Sequence, residues 1–139
     1  MIKQSLPLIV IASTNLGKIK EFSDFLRPLS AIVKSQPKHI HVVENGSSFI
    51  ENARIKACSA ASFTGYMALA DDSGLKVKAL GGAPGIYSSR YGQSDSDRIN
   101  KLLKEMEYID DRSASFVAAL CLVSAEGRIL IEVEGVCEG

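Results

Sequence analysis

The chain has 139 residues, 46% of them apolar, and its sixteen basic residues balance sixteen acidic ones. That length suits one domain with one core. Zero net charge argues against affinity for a nucleic-acid polymer through a broad basic surface. The longest apolar runs, such as Phe116–Val123, fall far short of a membrane span, and the N-terminus lacks a signal-peptide layout. Cys58, Cys121 and Cys137 are scattered without metal-ligand or disulfide spacing. A reducing, cytoplasmic setting is therefore expected, with Cys58 and Cys121 acting as small buried hydrophobes.

Leu8–Ala12 (LIVIA) is a continuous apolar run rich in β-branched residues and reads as a strand buried on both faces. "STNLGK", Ser13–Lys18, leads into a helix carrying Ile19, Phe22, Leu26 and Leu29, which Pro28 ends or distorts. Ile32–Lys34 and Ile40–Val43 are short strand candidates. Ser48 and Glu51 have capping-box spacing at the start of a second helix. There Ile50, Ala53, Ala57 and Ala60 recur at helical spacing, with Gly65 as the C-terminal stop. Met67–Ala70 is a buried strand that delivers Asp71 and Asp72, and Leu75–Leu80 alternates like a half-buried one. Gly81–Gly85 (GGAPG) is a loop. Asp95–Glu107 is a helix with Ile99, Leu102, Leu103 and Met106 inside. Phe116–Val123 is a strand, and Ile129, Ile131 and Val133 line one face of another after the turn at 125–127. Strands alternate with helices early and pair late, so the expected class is α/β with a mixed sheet.

Three places carry chemistry. In Ser13–Lys18 the first backbone amides of the following helix are expected to point outward, unsatisfied, at the positive end of its dipole, where phosphate binds well. Lys18 adds a point charge. An ordinary capped strand-to-helix turn is the alternative, since P-loop spacing is absent. Glu51 either completes the capping box or faces a cleft and holds a metal. Lys56, five residues on, need not share its face and is either solvated or phosphate-directed. Asp71 and Asp72 end a buried strand, and adjacent strand side chains point to opposite faces, so one of them at most is expected to face a given cleft. Either they begin a "DSG" turn, or a carboxylate holds a hard divalent cation shared with a substrate's phosphates. Together these parts are the set that phosphoanhydride hydrolysis requires.

The blocks "STNLGKIKEF", "SFIENARIKA" and "LADDSGLKVKALGGAPGIYSSRYG" occur in that order. They resemble the noncanonical purine nucleoside triphosphate pyrophosphatases, the inosine/xanthosine triphosphate pyrophosphatase family, from about Ile9 to the last residue. The resemblance implies an elongated, two-lobed α/β fold with a mixed sheet flanked by helices and a cleft between the lobes. It implies Mg²⁺-dependent hydrolysis of purine nucleoside triphosphates (ITP, dITP, XTP) to the monophosphate and pyrophosphate by a homodimer. By position, Ser13, Thr14, Asn15, Leu16, Gly17 and Lys18 would cradle the triphosphate, Lys56 would reach phosphate, and Ser73 would touch substrate. Glu51 and Asp72 would serve the metal, Asp72 would be the general base, and Asp71 would support the site. Arg90 is not assigned to catalysis. The family's later Phe-Gly-Tyr-Asp and Ser-His-Arg motifs, associated with base and ribose, do not occur in these residues. Residues 1–139 are therefore expected to form one partial domain that keeps the phosphate-and-metal half of the site. The alternatives are a non-catalytic nucleotide- or metal-binding fragment, half of a split protein, or a pyrophosphatase for a modified pyrimidine.

Overall fold

The computed structural model describes residues 6–139. Five strands form one mixed sheet: β1 (Leu8–Ile11), β2 (Ile32–Ser35), β3 (Met67–Val77), β4 (Ala114–Val123) and β5 (Ile129–Glu138). Their order is β2-β1-β3-β4-β5. The three on the β2 side run parallel and the β3-β4-β5 meander is antiparallel. Three helices accompany the sheet: α1 (Leu16–Leu26), α2 (Phe49–Thr64) and α3 (Asp95–Glu105).

The α2 sequence explains how the core closes. Ala53, Ala57, Ala60 and Ala61 are fully buried, and their short side chains let the helix approach the sheet closely. They pack in one cluster with Val10, Ala68, Ala70, Val117, Ala119, Cys121 and Val123. Ser48 caps the helix by accepting from the Glu51 amide, and Gly65 ends it in the left-handed region at φ 74°. Arg54 forms an ion pair with Glu132, tying α2 to β5.

Several expectations change. The "DSG" segment is not a turn: β3 runs unbroken through it, with Asp71 opposite Leu120, Asp72 opposite Ala119, Ser73 opposite Ala118 and Gly74 opposite Val117. The long partner β4 supplies a ladder that outweighs local turn preference. Strand β3 stops at Val77, where Lys78–Leu80 forms a 3-10 turn. Ile40–Val43 is not a strand, for no strand among the described residues pairs with it. Pro28 sits in a 3-10 turn, Arg27–Leu29, that directly follows α1. Helix α3 ends at Glu105, and its Ile99 and Leu103 are each 57% exposed rather than inside. Ile129, Ile131 and Val133 of β5 are likewise exposed, because no layer covers that sheet face among the described residues. Cys121 is buried and Cys58 half-buried.

The order β2-β1-β3 places the connections leaving β1 and β2 on opposite sides of β1. In open α/β sheets, ligands bind at the carboxyl ends of the strands at such a reversal. Here β1 pairs with β3 only as far as Ile11 opposite Leu69, after which the Ala12 amide donates to the Leu69 carbonyl at 2.9 Å. Beyond that point β3 continues without β1, and the gap lies between Ser13–Lys18 and Asp71–Ser73.

Candidate active site

A cleft of about 310 Å³ occupies that gap, lined by Ser13, Asn15, Lys18, Glu44, Lys56, Asp72, Ser73 and Ser89. Strand alternation separates the two aspartates. Asp71 accepts both its contacts from the Lys18 ammonium, at 3.0 Å to each oxygen. Asp72 lies on the α2 side, where Lys56 and Asn52 approach it. One of its oxygens, Oδ2, is buried without a hydrogen-bond donor among the described residues. Burial pushes the Asp72 carboxyl above its ordinary value. Lys56 and Asn52 pull it down, and Glu44 and Asp71 push it up.

The Ser13–Lys18 turn takes the capped form of its two expected readings. Asn15 caps α1 with its own side chain, which accepts from the amides of Gly17 at 2.9 Å and Lys18 at 3.3 Å. Those amides are therefore already satisfied. The Asn15 amide in turn donates to Ser13 Oγ at 3.0 Å. As folded, the turn offers the cleft the Ser13 hydroxyl, the Asn15 amide group and the Lys18 ammonium. Leu16 and Gly17 are exposed and do not line it. Thr14 faces a neighbouring hollow shared with Ser13, Gln36, Glu44 and Lys56.

Glu51 is not brought to the cleft. Its carboxylate accepts from the Ser47 amide at 2.7 Å and the Ser47 hydroxyl at 2.9 Å. Those bonds, the amide first, hold its carboxyl below the usual range. They engage the residue before the cap, so the reciprocal capping box is displaced by one position. Lys56 points elsewhere, as its angular offset from Glu51 along the helix requires. Its side chain is only 16% exposed, and its ammonium lies 3.4 Å from Glu44.

Sequence reasoning singled out none of Glu44, Asn52 and Ser89, and it left Arg90 outside catalysis. Glu44 comes from an irregular segment and meets both Lys56 and Arg90 at 3.4 Å. Buried Asn52 accepts from the Gly46 amide at 2.8 Å and so moors that segment beside Asp72. A signal was present: Asn52 and Lys56 are four apart, hence on one helix face, and Asn52 follows the alanine pattern into the core.

The donor set suits a hard cation. The cleft supplies two carboxylates, Asp72 and Glu44, one with an orphaned buried oxygen. Among the described residues, no group of three or more His, Cys, Asp or Glu side chains could hold a metal. A cation here would draw its remaining ligands from water and a bound phosphate chain, as Mg²⁺ does. Three cationic side chains, Lys18, Lys56 and Arg90, accompany three carboxylates, Asp71, Asp72 and Glu44.

These features define an α/β protein with a cleft at a sheet reversal that is lined by paired carboxylates and cationic side chains. Residues 9–139 match the sequence profile of the Ham1 family. Two proteins named dITP/XTP pyrophosphatase, from two strains of Prochlorococcus marinus, are 56% and 57% identical to this chain, over 98% and 95% of its length. The match covers 68% and 65% of those relatives, so the chain spans about two thirds of their length. The solved Ham1 protein of Coxiella burnetii superposes with a TM-score of 0.88 at 44% identity, covering 96% of this chain and 72% of that one. That of Staphylococcus aureus gives 0.85 at 38% identity, covering 95% and 70%. The chain belongs to the Ham1 family. Among the described residues no helix is long and apolar enough to cross a membrane.

Proposed function

We propose that this chain carries the catalytic cleft of a nucleotide-pool sanitising pyrophosphatase. It cleaves inosine, deoxyinosine or xanthosine triphosphate between the α- and β-phosphates. The observation that carries this reading is the orphaned Asp72 Oδ2 in a cleft that also holds Lys18, Lys56 and Ser13. The relatives' names support the substrate class.

In this reading the Lys18 and Lys56 ammoniums neutralise the polyphosphate, and Ser13, Asn15 and Ser73 orient it by hydrogen bonds. Lys18 is aimed by Asp71, whose bidentate hold fixes the ammonium at the cleft mouth. Asp72 accepts a proton from the attacking water. The water oxygen bonds to the α-phosphorus as the bond to the bridging oxygen breaks, and pyrophosphate leaves with that electron pair. Asp72 and Glu44 would hold Mg²⁺, which would supply charge neutralisation at the phosphorus. The homodimer and the cytoplasmic setting belong to the same proposal. No residue placed in the cleft is assigned to reading the base.

The test is pyrophosphate release from dITP with Mg²⁺. Asp72→Asn is expected to lose roughly 10²–10⁴-fold in rate, the usual cost of removing a general base. Equal rates for the two proteins would remove Asp72 from the mechanism. A second reading is binding without turnover, since no residue placed in the cleft is assigned to reading the base. Calorimetry that finds nucleotide binding with no pyrophosphate formed would select it.

A further inference from the structure

Glu44 is held by two cations on its two oxygens. Lys56 stands 3.4 Å from Oε1 and Arg90 stands 3.4 Å from Oε2. Arg90 also donates to the Glu44 backbone carbonyl at 3.2 Å. Arg90 closes the 3-10 turn Gly85–Arg90, and the preceding Ser89 lines the cleft. That turn is anchored on β3 from behind: Ser88 Oγ accepts from the Leu75 amide at 2.9 Å and donates to the Gly85 carbonyl at 2.6 Å. Across the cleft, Asp72 Oδ2 has no donor among the described residues. One carboxylate of the pair is thus overfilled with positive charge while the other has an unmatched oxygen.

We propose that Arg90 is a stand-in cation. In the metal-free cleft it holds the Glu44 carboxylate in place, and a divalent cation displaces it. The inference rests on the reading of Asp72 and Glu44 as the cation-binding pair. The two Glu44 cations are not equivalent. Lys56 is 16% exposed and faces both carboxylates, so it stays. The Arg90 side chain is 52% exposed, and its guanidinium can swing into water at little cost. Its contacts are long, so the pair is weak and readily exchanged. With Ser88 holding the turn to β3, the exchange needs movement of the Arg90 side chain and the last residues of the turn only. Arg90 is accordingly a positioning residue: it keeps Glu44 facing the cleft until the cation arrives, and its grip competes with that cation.

The test uses Mn²⁺ alone, without nucleotide, on the full chain and on Arg90→Gln and Arg90→Lys, with thermal melts as a folding control. Arg90→Gln is expected to bind Mn²⁺ about two- to fivefold more tightly, the size of effect an exposed ion pair permits. Arg90→Lys, which keeps the charge, is expected to stay near wild type. In the unaltered chain, saturating Mn²⁺ is expected to speed amide hydrogen exchange at residues 89–91. Equal or weaker Mn²⁺ binding by Arg90→Gln overturns the proposal and leaves the cation pair standing, and so does unchanged exchange in the unaltered chain. A wild-type chain that binds no Mn²⁺ overturns both.

Discussion

Asp71 and Asp72 are neighbours in sequence with opposite surroundings. Asp71 is satisfied by Lys18, whereas Asp72 has one oxygen buried and unmatched. The consequence for stability has a definite sign. The fold raises the Asp72 carboxyl above an ordinary value of about 3.8, chiefly by burial. The folded state therefore favours the protonated form. The stability this gives is fully present below the unfolded value and is lost as pH rises through the folded one. At neutral pH the ionised carboxylate burdens the metal-free protein. Asp72→Asn is thus expected to melt higher than wild type at pH 7 without metal, with the difference shrinking toward pH 4. Thermal melts across that range check it, and a lower melting temperature for the variant at pH 7 would contradict the unmatched-oxygen account. The same residue shows what the sequence disclosed. Alternation along a strand separates the two carboxylates on sequence grounds alone. Which of them meets Lys18 and which meets Lys56 depends on where two helices dock, and that is a tertiary fact.

At the scale of elements, β3 is the member that holds the site together. Its first half is a central strand between β1 and β4, and its second half borders the cleft. Gly74 makes the second half possible. A Cβ there would lie 2.4 Å from the Gly85 carbonyl oxygen, 2.5 Å from Ser88 Oγ and 2.9 Å from a Phe49 ring carbon. Gly74→Ala must therefore push the 3-10 turn off the strand. It is expected to cost roughly 1–3 kcal/mol, as overpacking does, measured as a lower denaturant midpoint with an unchanged slope. A neutral effect would show that the turn is not packed as described. The helices were legible because alanine periodicity, a serine cap and a glycine stop act locally. The "DSG" segment left a turn open as one alternative because its local chemistry favours one, while the ladder to β4 comes from residues more than forty positions later. The exposed apolar residues of α3, Ile99 and Leu103, were misplaced for a related reason. Periodicity tells which residues share a face but not whether another layer covers it.

For the whole molecule, the lining of the cleft was legible in the sequence only in part. Ser13, Lys18 and Asp72 sit at the ends of strongly patterned elements. Glu44 and Arg90 come from an irregular loop and a short 3-10 turn, joined by folding across 46 positions. Glu51, the more conspicuous acid in sequence, is engaged by Ser47 instead. The central claim is that a divalent cation binds at Asp72, opposite the lysine-bearing turn between β1 and α1. Crystals grown with Mn²⁺ and a slowly hydrolysed dITP analogue test it most directly, by anomalous scattering. The account predicts a manganese peak within about 2–2.5 Å of an Asp72 oxygen, with the phosphate chain running toward Lys18. A manganese peak remote from Asp72, or a triphosphate seated away from the Ser13–Lys18 turn, would contradict it.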